Sequence, residues 1–247
     1  KVANLLFFTD DYNPPRFSNV KRSYVVPNIS YIDYGGNHDI FAEALHVIKK
    51  PPLTSPTVAP YFNQSEEQFM VDRFICFAYR YRYIDNEYSA TSQWSDVAFL
   101  PKQFEFSIDS ALNDGMTNAF NAATITYESG GPLVVGIDLL FKEANSSVIK
   151  VIEKLNKAEL GLLDNYSYTY NFVNSKIFTI LPQSEILRLY DNVPRFAKAQ
   201  TIMGNRLMYG NYVEGYNLID NGGNPTRLDY TTELITETIG LSLLNTY

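Results

Sequence analysis

Leu5–Val20 reads LLFFTDDYNPPRFSNV, and this stretch sets the expected architecture because a comparable one, GNRLMYGNYVEGYNL, follows at Gly204–Leu218. Each is a short aromatic strand that carries polar turn residues. The residues between them have a different β character, with many short strands and turns. This order predicts one platform, built from both ends of the chain, that is interrupted by an insertion.

The composition indicates a globular, β-rich protein. Of 247 residues, 45% are hydrophobic and 19% are charged, which is enough to bury a core. The chain has 19 Tyr and 16 Phe but a single Trp, and such rings suit strands that are half buried. A net charge of -7 argues against affinity gained by gripping DNA phosphates, which requires clustered Lys and Arg. A surface that DNA slides past without sticking fits this charge.

Three absences in the sequence narrow the classes of protein. Cys76 is the only cysteine, so neither a disulfide framework within the chain nor a multi-cysteine zinc site can form, and we expect a small buried hydrophobe. No run approaches the roughly 18 apolar residues of a membrane span. The chain begins at Lys1 without a signal-peptide pattern, so we expect a piece of a longer protein.

The segment before the insertion ends in a proline-rich linker. Gly35-Gly36 predicts a turn, because paired glycines permit positive φ. Phe41–Lys50 fits a short helix or a strand, and the prolines that follow at once favour a strand. Pro51–Pro60 holds four prolines, which stiffens a domain boundary and excludes a central strand.

Phe74–Tyr83 has the clearest strand pattern in the chain. Its residues alternate strictly between two faces. One face holds Ile75, Phe77, Tyr79, Tyr81 and Tyr83, and the other holds Cys76, Ala78, Arg80 and Arg82. An Asp85-Asn86 turn leads into the Ser/Thr-rich run Glu87–Pro101, so the two runs predict a β-hairpin.

A second set of strands follows a loop predicted at Asn113–Asn118. The predicted strands are Asn121–Ser129, Val134–Glu143, Ser146–Leu155 and two short ones within Thr169–Pro182. Val135, Ile137, Leu139 and Phe141 are expected to share one face. Ser146–Leu155 also fits a helix stripe, and its β-branched residues favour the strand.

Short strands separated by turns, without alternating helices, predict a mainly β fold with immunoglobulin-like or fibronectin type III-like β-sandwich inserts. We place the N-terminal portion of the platform at 1–52, a first insert at 53–110, a second at 111–190 and the C-terminal portion of the platform at 191–247. Leu53–Pro101 is short for a full sandwich, so two small domains and one domain with a partial one both stay open. Gln183–Asn205 is the best helical candidate, broken at Pro194, and Thr231–Tyr247 has no assignment.

Residues with catalytic or metal-binding chemistry are sparse. His38 and His46 lack the spacing of a zinc site, and no nucleophile elbow, P-loop or dinucleotide fingerprint occurs. Asp10-Asp11, Asp33–Asp39 and Asp220–Asp229 concentrate oxygen ligands that suit calcium, without the spacing of an EF-hand. Glycosidase carboxylates are equally unsupported by any motif. We therefore predict no catalytic, cofactor-binding or metal residues and no enzymatic activity.

The pair Arg80 and Arg82, set among tyrosines, allows two interpretations. The rings and guanidinium groups suit stacking on nucleic acid. Alternatively, the arginine stems cover the exposed face of a sheet or reach a neighbouring subunit. We favour the second interpretation.

The motifs T-D-x-x-N-P-P-R at Thr9–Arg16 and G-N-R-L-x-Y-G-N-Y at Gly204–Tyr212 are the most specific in the chain. With them, the stretches from Leu5 to Asn217 resemble the tail nozzle, or muzzle, proteins of short-tailed phages, most closely of crAss-like gut phages. This resemblance implies a propeller-like β platform with inserted fibronectin-like domains. It also implies a structural virion protein that forms a ring around the DNA exit channel and helps to retain packaged DNA.

The resemblance also implies partners: copies of the chain in a ring, other tail and portal-proximal ring proteins, and passing double-stranded DNA that is not bound sequence-specifically. A ring needs two different, complementary surfaces on each protomer. Tyr12, Phe17 and Tyr212 are candidates for exposed contact residues. Two other classes stay open, namely a secreted or surface adhesion module that binds carbohydrate or protein, and a β-rich hydrolase.

Overall fold

The structure is a computed structural model that describes residues 5–19, 42–65, 69–84, 86–173, 178–186, 193–204 and 206–214. It is mainly β within these ranges. The strands are β1 Leu5–Phe8, β2 Arg16–Asn19, β3 Thr57–Tyr61, β4 Ile75–Tyr83, β5 Ala122–Glu128, β6 Val134–Glu143, β7 Lys150–Asn156, β8 Ser167–Phe172, β9 Thr179–Ile180, β10 Phe196–Met203 and β11 Arg206–Val213. One-turn helices lie at α1 Ala42–Leu45, α2 Lys157–Leu160 and α3 Gln183–Ile186.

Two antiparallel sheets pack face to face and share one core. The sheets have the strand orders β3-β5-β8 and β4-β6-β7-β9. The ring of Phe172, from the first sheet, lies 5.1 Å from Phe77 and 5.3 Å from Phe141, both from the second. Tyr127 and Tyr79 meet across the same interface at 6.3 Å. Buried aromatic rings of both sheets therefore supply much of the apolar area that holds the two sheets together.

The two predicted inserts, 53–110 and 111–190, contribute strands to both sheets. β3 pairs with β5 from Thr57↔Thr126 to Tyr61↔Ala122. β4 pairs with β6 along its whole length. The boundary predicted between residues 110 and 111 therefore lies inside one folded body. Local strand patterns did not reveal this, because the pairs join segments far apart in sequence.

The predicted faces of β4 are confirmed. Its odd-numbered residues from Ile75 to Tyr83 all lie in the main core. The other face is also covered, since Ala78 packs in a second cluster with Leu140 and Val151. The stripe predicted on β6 is shifted at one end, where Val134 joins the core in place of Val135. A register shift in the β4–β6 ladder between Arg82 and Tyr83 causes this exchange.

Near the linker, one prediction of secondary structure is wrong, and the exclusion of a central strand is confirmed. Residues 42–45 form helix α1 and not a strand, because their sequence AEAL consists of strong helix formers and lies too far before Pro51 to be restricted by it. The second half of the linker forms β3. β3 lies at the edge of its sheet, where Pro60 is tolerated because a missing N–H costs no ladder bond on the open side.

The helix predicted over Gln183–Asn205 is wrong for most of its length. Among the residues of this range that the structure describes, α3 alone is helical, and β10 occupies residues 196–203. β10 pairs with β11 from Phe196↔Val213 to Met203↔Arg206, so an adjacent partner strand outweighs the helical propensity of the segment. The strands predicted after residue 120 are confirmed at β5, β6, β7, β8 and β9.

The two ends of the described chain contact each other. β1 and β2 form one hairpin, and β10 and β11 form another; we call them the terminal hairpins. The Thr9 hydroxyl donates a hydrogen bond to the Ala197 carbonyl at 2.5 Å, and Lys198 Nζ lies 3.5 Å from an Asp11 carboxylate oxygen. Each hairpin remains a separate two-stranded sheet, and the described residues contain no closed barrel or propeller.

The predicted Gly35-Gly36 turn, His38, the Asp33–Asp39 and Asp220–Asp229 loops and the tail from Thr231 lie outside the described residues. Among the helices that are described, none has the length and apolar content that a membrane crossing requires.

Candidate functional site

Arg80 lies in a buried ion-pair cluster. The prediction that its stem covers an exposed face of a sheet is therefore wrong. The side chain is 6% exposed, and its Nη2 lies 3.0 Å from Asp138 Oδ2. The guanidinium also donates to Glu185 and stacks on Tyr88 at 4.0 Å from the ring centre. With its donors engaged inside the fold, Arg80 is not positioned to stack on nucleic acid.

Asp138 shows how this cluster is balanced. Burial raises the pKa of the Asp138 carboxyl, and the charge and hydrogen bonds of Arg80 oppose that shift without cancelling it. Asp138 Oδ1 is buried and has no hydrogen-bond partner. Glu185 belongs to α3, so the cluster fixes the segment that leads from the two-sheet body towards β10.

The run Glu87–Pro101 lies beside β4 and is joined to it by a series of serine hydrogen bonds, which we call the serine ladder. The strand patterns did not predict this series. The backbone N–H groups of Ser89, Ser92 and Ser95 donate to the carbonyls of Tyr81, Tyr79 and Phe77 at 2.8–2.9 Å. The serine hydroxyls accept hydrogen bonds from the N–H groups of the same three residues at 2.9–3.0 Å. Three residues of this run therefore match two residues of β4, and the predicted hairpin partner is not a regular strand. The S-x-x-S-x-x-S spacing was the signal.

The serine ladder closes one edge of the four-stranded sheet. An open edge presents unpaired N–H and C=O groups that recruit other strands. Here the hydroxyls of Ser89, Ser92 and Ser95 accept from the β4 N–H groups, and their backbone N–H groups donate to the β4 carbonyls. The rings of Tyr88 and Trp94 lie against the cations of Arg80 and Lys142 respectively. The backbone groups of Phe77, Tyr79 and Tyr81 on this edge are therefore paired within the chain.

The remaining predicted residues have ordinary structural surroundings. Cys76 is buried, as predicted, and burial raises the pKa of its thiol. Asp10 closes the β1–β2 turn by accepting hydrogen bonds from Asn13 and Tyr12. His46 forms an isolated β-bridge with Arg16. No group of three or more His, Cys, Asp or Glu that could hold a metal ion occurs in the described part of the chain.

The candidate contact residues of the terminal hairpins divide into two kinds. Tyr12 is 86% exposed and Tyr212 is 48% exposed, so both are available for contacts. Phe17 is only 3% exposed, and the Lys49 ammonium lies 4.7 Å from the centre of its ring. Phe17 is therefore a core residue of its hairpin, which corrects the prediction.

The concave regions of the two-sheet body include two that are lined by tyrosines. A cavity of about 470 Å³ opens at one end of the core between Tyr79, Tyr81 and Tyr83, where the Tyr83 hydroxyl donates to the Lys50 carbonyl at 2.7 Å. An open groove of about 520 Å³ is lined by Tyr127, Tyr168, Tyr170 and Glu153, among others. Burial raises the pKa of Tyr127 to about 12.

Residues 101–118 form a β-hairpin, which we call the arm. The sequence predicted only a loop over its second half, at Asn113–Asn118. Isolated bridges join Pro101 to Asn118 and Phe106 to Asn113. Alternating apolar residues at Phe104, Phe106 and Ile108 were a strand signal in the sequence. All three are exposed.

A scan against models of protein families finds no match to this chain, and a search of curated proteins finds none either.

Proposed function

We propose that this protein is a structural component of a phage tail nozzle, in which copies of the chain form a ring around the DNA exit channel and help to retain packaged DNA. The observation that carries the proposal is the contact between the terminal hairpins, through Thr9 with Ala197 and Asp11 with Lys198. These hairpins hold the two motifs on which the resemblance to nozzle proteins depends. Their contact supports a platform formed from both ends of the chain.

The distribution of charge supports a channel protein that does not bind DNA tightly. The chain carries a net charge of -7, and tight phosphate binding requires the opposite sign. Arg80 and Lys157 are buried in ion pairs with Asp138 and Asp164. Their charges are therefore compensated within the fold and do not attract phosphates at the surface.

The finer description of the fold belongs to this proposal. Sheets of three and four antiparallel strands over one core are consistent with a sandwich of the fibronectin type III or immunoglobulin kind. We further propose that each terminal hairpin is a piece of a propeller-like platform, completed by further strands or by neighbouring copies. The two-sheet body would then project from that platform.

The test is the oligomeric state of the chain at the ionic strength of a virion buffer. We expect negative-stain electron microscopy and light scattering after gel filtration to show one closed ring of defined mass. Duplex DNA added at about 0.15 M salt should not be retained by the ring, because the acidic surface repels it. A monodisperse monomer over the whole accessible concentration range would contradict the proposal.

The tyrosine-lined groove favours a second candidate function, an adhesion module that binds carbohydrate. Tyr168 and Tyr170 are half-buried rings beside Glu153, which suits stacking and hydrogen bonding to a sugar, while Tyr127 is buried at the base of the groove. A glycan array separates the two candidates, because an adhesin gives a defined hit that is lost in Tyr168→Ala. The matched control is Tyr166→Ala, which changes an exposed tyrosine that does not line the groove.

A further inference from the structure

The arm is an ordered hairpin with a firm base. Ser107 and Asp114 donate backbone hydrogen bonds to the carbonyls of Leu112 and Glu105 at 2.9 and 2.7 Å. At the base, the fully buried Asn118 donates from its amide to the Ala98 carbonyl at 2.9 Å and accepts from the Leu100 N–H at 3.2 Å. The arm is therefore fixed to the two-sheet body by hydrogen bonds at its base.

The tip of the arm exposes large apolar side chains that the fold does not use. Phe104 is 70% exposed and Ile108 is 88% exposed, and three further apolar side chains of the arm are also exposed. The full set is Phe104, Phe106, Ile108, Leu112 and Met116. Scattered single residues of this kind need no explanation, but Phe104, Phe106 and Ile108 alternate along one strand of the arm and so share one of its faces, which marks a contact surface.

The β10–β11 hairpin presents a second apolar surface near the other end of the chain. Its exposed side chains Met203, Met208 and Tyr212 share one face by the pairing register, whereas Ile202 and Val213 lie on the other face. Methionines are well suited to such a surface, because their flexible side chains adapt to a partner. Neither this surface nor the arm is covered by the described residues of the chain itself.

The two surfaces carry opposite charges. Between residues 101 and 118, the carboxylates of Glu105, Asp109 and Asp114 outnumber the single cation, Lys102. Between residues 195 and 214, Arg195, Lys198 and Arg206 outnumber the single carboxylate of Glu214, and Lys198 also lies 3.5 Å from an Asp11 oxygen. Complementary charges around apolar patches favour one docking partner over others and discourage contacts between like surfaces.

We propose that the arm of one copy docks on the β10–β11 hairpin of the next copy. The contact joins two different surfaces of the same chain, so it is heterologous, and repeated contacts of this kind close into a ring or extend as a filament. This inference rests on the proposed ring, for which it names the interface. In this interface the apolar side chains of the arm provide the anchor, and the charges set the orientation of the two copies.

The first test removes the apolar anchor. Phe106→Ser combined with Ile108→Ser should raise the concentration needed for half-assembly by roughly tenfold or more, because two anchors at an interface are lost. The midpoint of thermal unfolding should not fall, since both side chains are exposed. Leu160→Ser combined with Leu163→Ser, two exposed residues elsewhere, is the matched control and should assemble normally.

The second test exchanges charges across the interface. Asp109→Arg alone and Arg206→Glu alone should each weaken assembly, and the two together in one chain should restore it. Such rescue requires that the two residues face each other between copies, whichever side chains supply the apolar contact.

The outcomes separate this inference from the proposed function. Rings that form equally well in the arm variants, or a charge exchange without rescue, would overturn the interface and leave the nozzle proposal standing. An unmodified chain that stays monomeric would overturn both. A disulfide that forms within one chain between Ile108→Cys and Met203→Cys, in a Cys76→Ala background, would show that the arm docks on its own hairpin and would also overturn the interface.

Discussion

Serine hydroxyls take the place of backbone carbonyls along one side of β4. Ser92 Oγ accepts the Tyr79 N–H at 3.0 Å and lies in the interior of the protein. A buried N–H that loses its acceptor costs the free energy of its desolvation, about 1–3 kcal/mol. We predict that Ser92→Ala lowers the free energy of unfolding by this amount, measured by urea denaturation. Gln93→Ala, at an exposed neighbour, should change it little. Equal effects of the two substitutions would rule out the ladder as a source of stability.

The Arg80–Asp138 pair leads to a prediction about buried charge. Both side chains are almost inaccessible to solvent, with 6% and 1% exposure. Arg80→Met leaves the Asp138 carboxyl buried without its cation, and removal of one partner from such a pair typically costs about 3–5 kcal/mol. We predict that Arg80→Met combined with Asp138→Leu recovers most of that loss, because no charge then remains buried. Chemical denaturation measures the stability of the single and the double variant. A double variant as unstable as Arg80→Met would contradict the prediction.

Asp10 leads to a prediction about pH. Hydrogen bonds from the Asn13 side chain, the Asn13 N–H and the Tyr12 N–H lower the pKa of Asp10 to about 2. Because the folded pKa lies below the unfolded one, the turn is stabilised above the unfolded pKa and loses this stabilisation as the pH falls towards 2. Asn13→Ala should raise the pKa, as measured by carboxyl-carbon NMR titration. Asn145→Ala, an exposed amide elsewhere, should not change it.

At the scale of elements, the arm depends on a close approach of its two sides at Gly115. A Cβ atom at this position would lie 1.9 Å from the Gln103 carbonyl oxygen, so Gly115→Ala must separate the two sides. We predict that amide hydrogen exchange speeds up at Ser107 and Asp114, while thermal unfolding of the two-sheet body is unchanged. Gly131→Ala is the control, because its nearest atom would lie 3.9 Å away. Slow exchange retained in Gly115→Ala would contradict the arm's hydrogen-bonding pattern.

Sequence patterns predicted a strand well where its own side chains alternate with a period of two. They predicted it poorly where pairing with another strand decides the secondary structure. The period of two in Phe74–Tyr83 gave the faces of β4 without any knowledge of its neighbours. In contrast, β10 has no strong period and was predicted as a helix, although β11 pairs with it. The displaced position of Val134 also depends on a partner, since the register shift lies in the β4–β6 ladder. The candidate contact surface on the arm was missed because its alternation is short.

At the scale of the whole molecule, the two-sheet body should fold as one unit. Residues 53–110 supply β3 and β4, and each of these strands pairs with a strand from residues 111–190. We predict that a fragment of residues 51–182 unfolds in one cooperative transition, whereas residues 53–110 alone stay unfolded because two of the three strands of one sheet and three of the four strands of the other are missing. Circular dichroism and NMR shift dispersion show whether each of the two fragments is folded. A folded 53–110 fragment would contradict the shared core.

The order of amino acids was enough to predict the mainly β character of the chain, the positions of its principal strands and the side of β4 that faces the core. Alternation of apolar and polar side chains is a local property, and a strand carries it wherever it is placed. The three-dimensional arrangement was needed to show that β3 joins β5, that Arg80 is buried against Asp138 and that the arm exposes its apolar tip. Strand partners, desolvation and exposure each depend on residues distant in sequence, which no local pattern specifies.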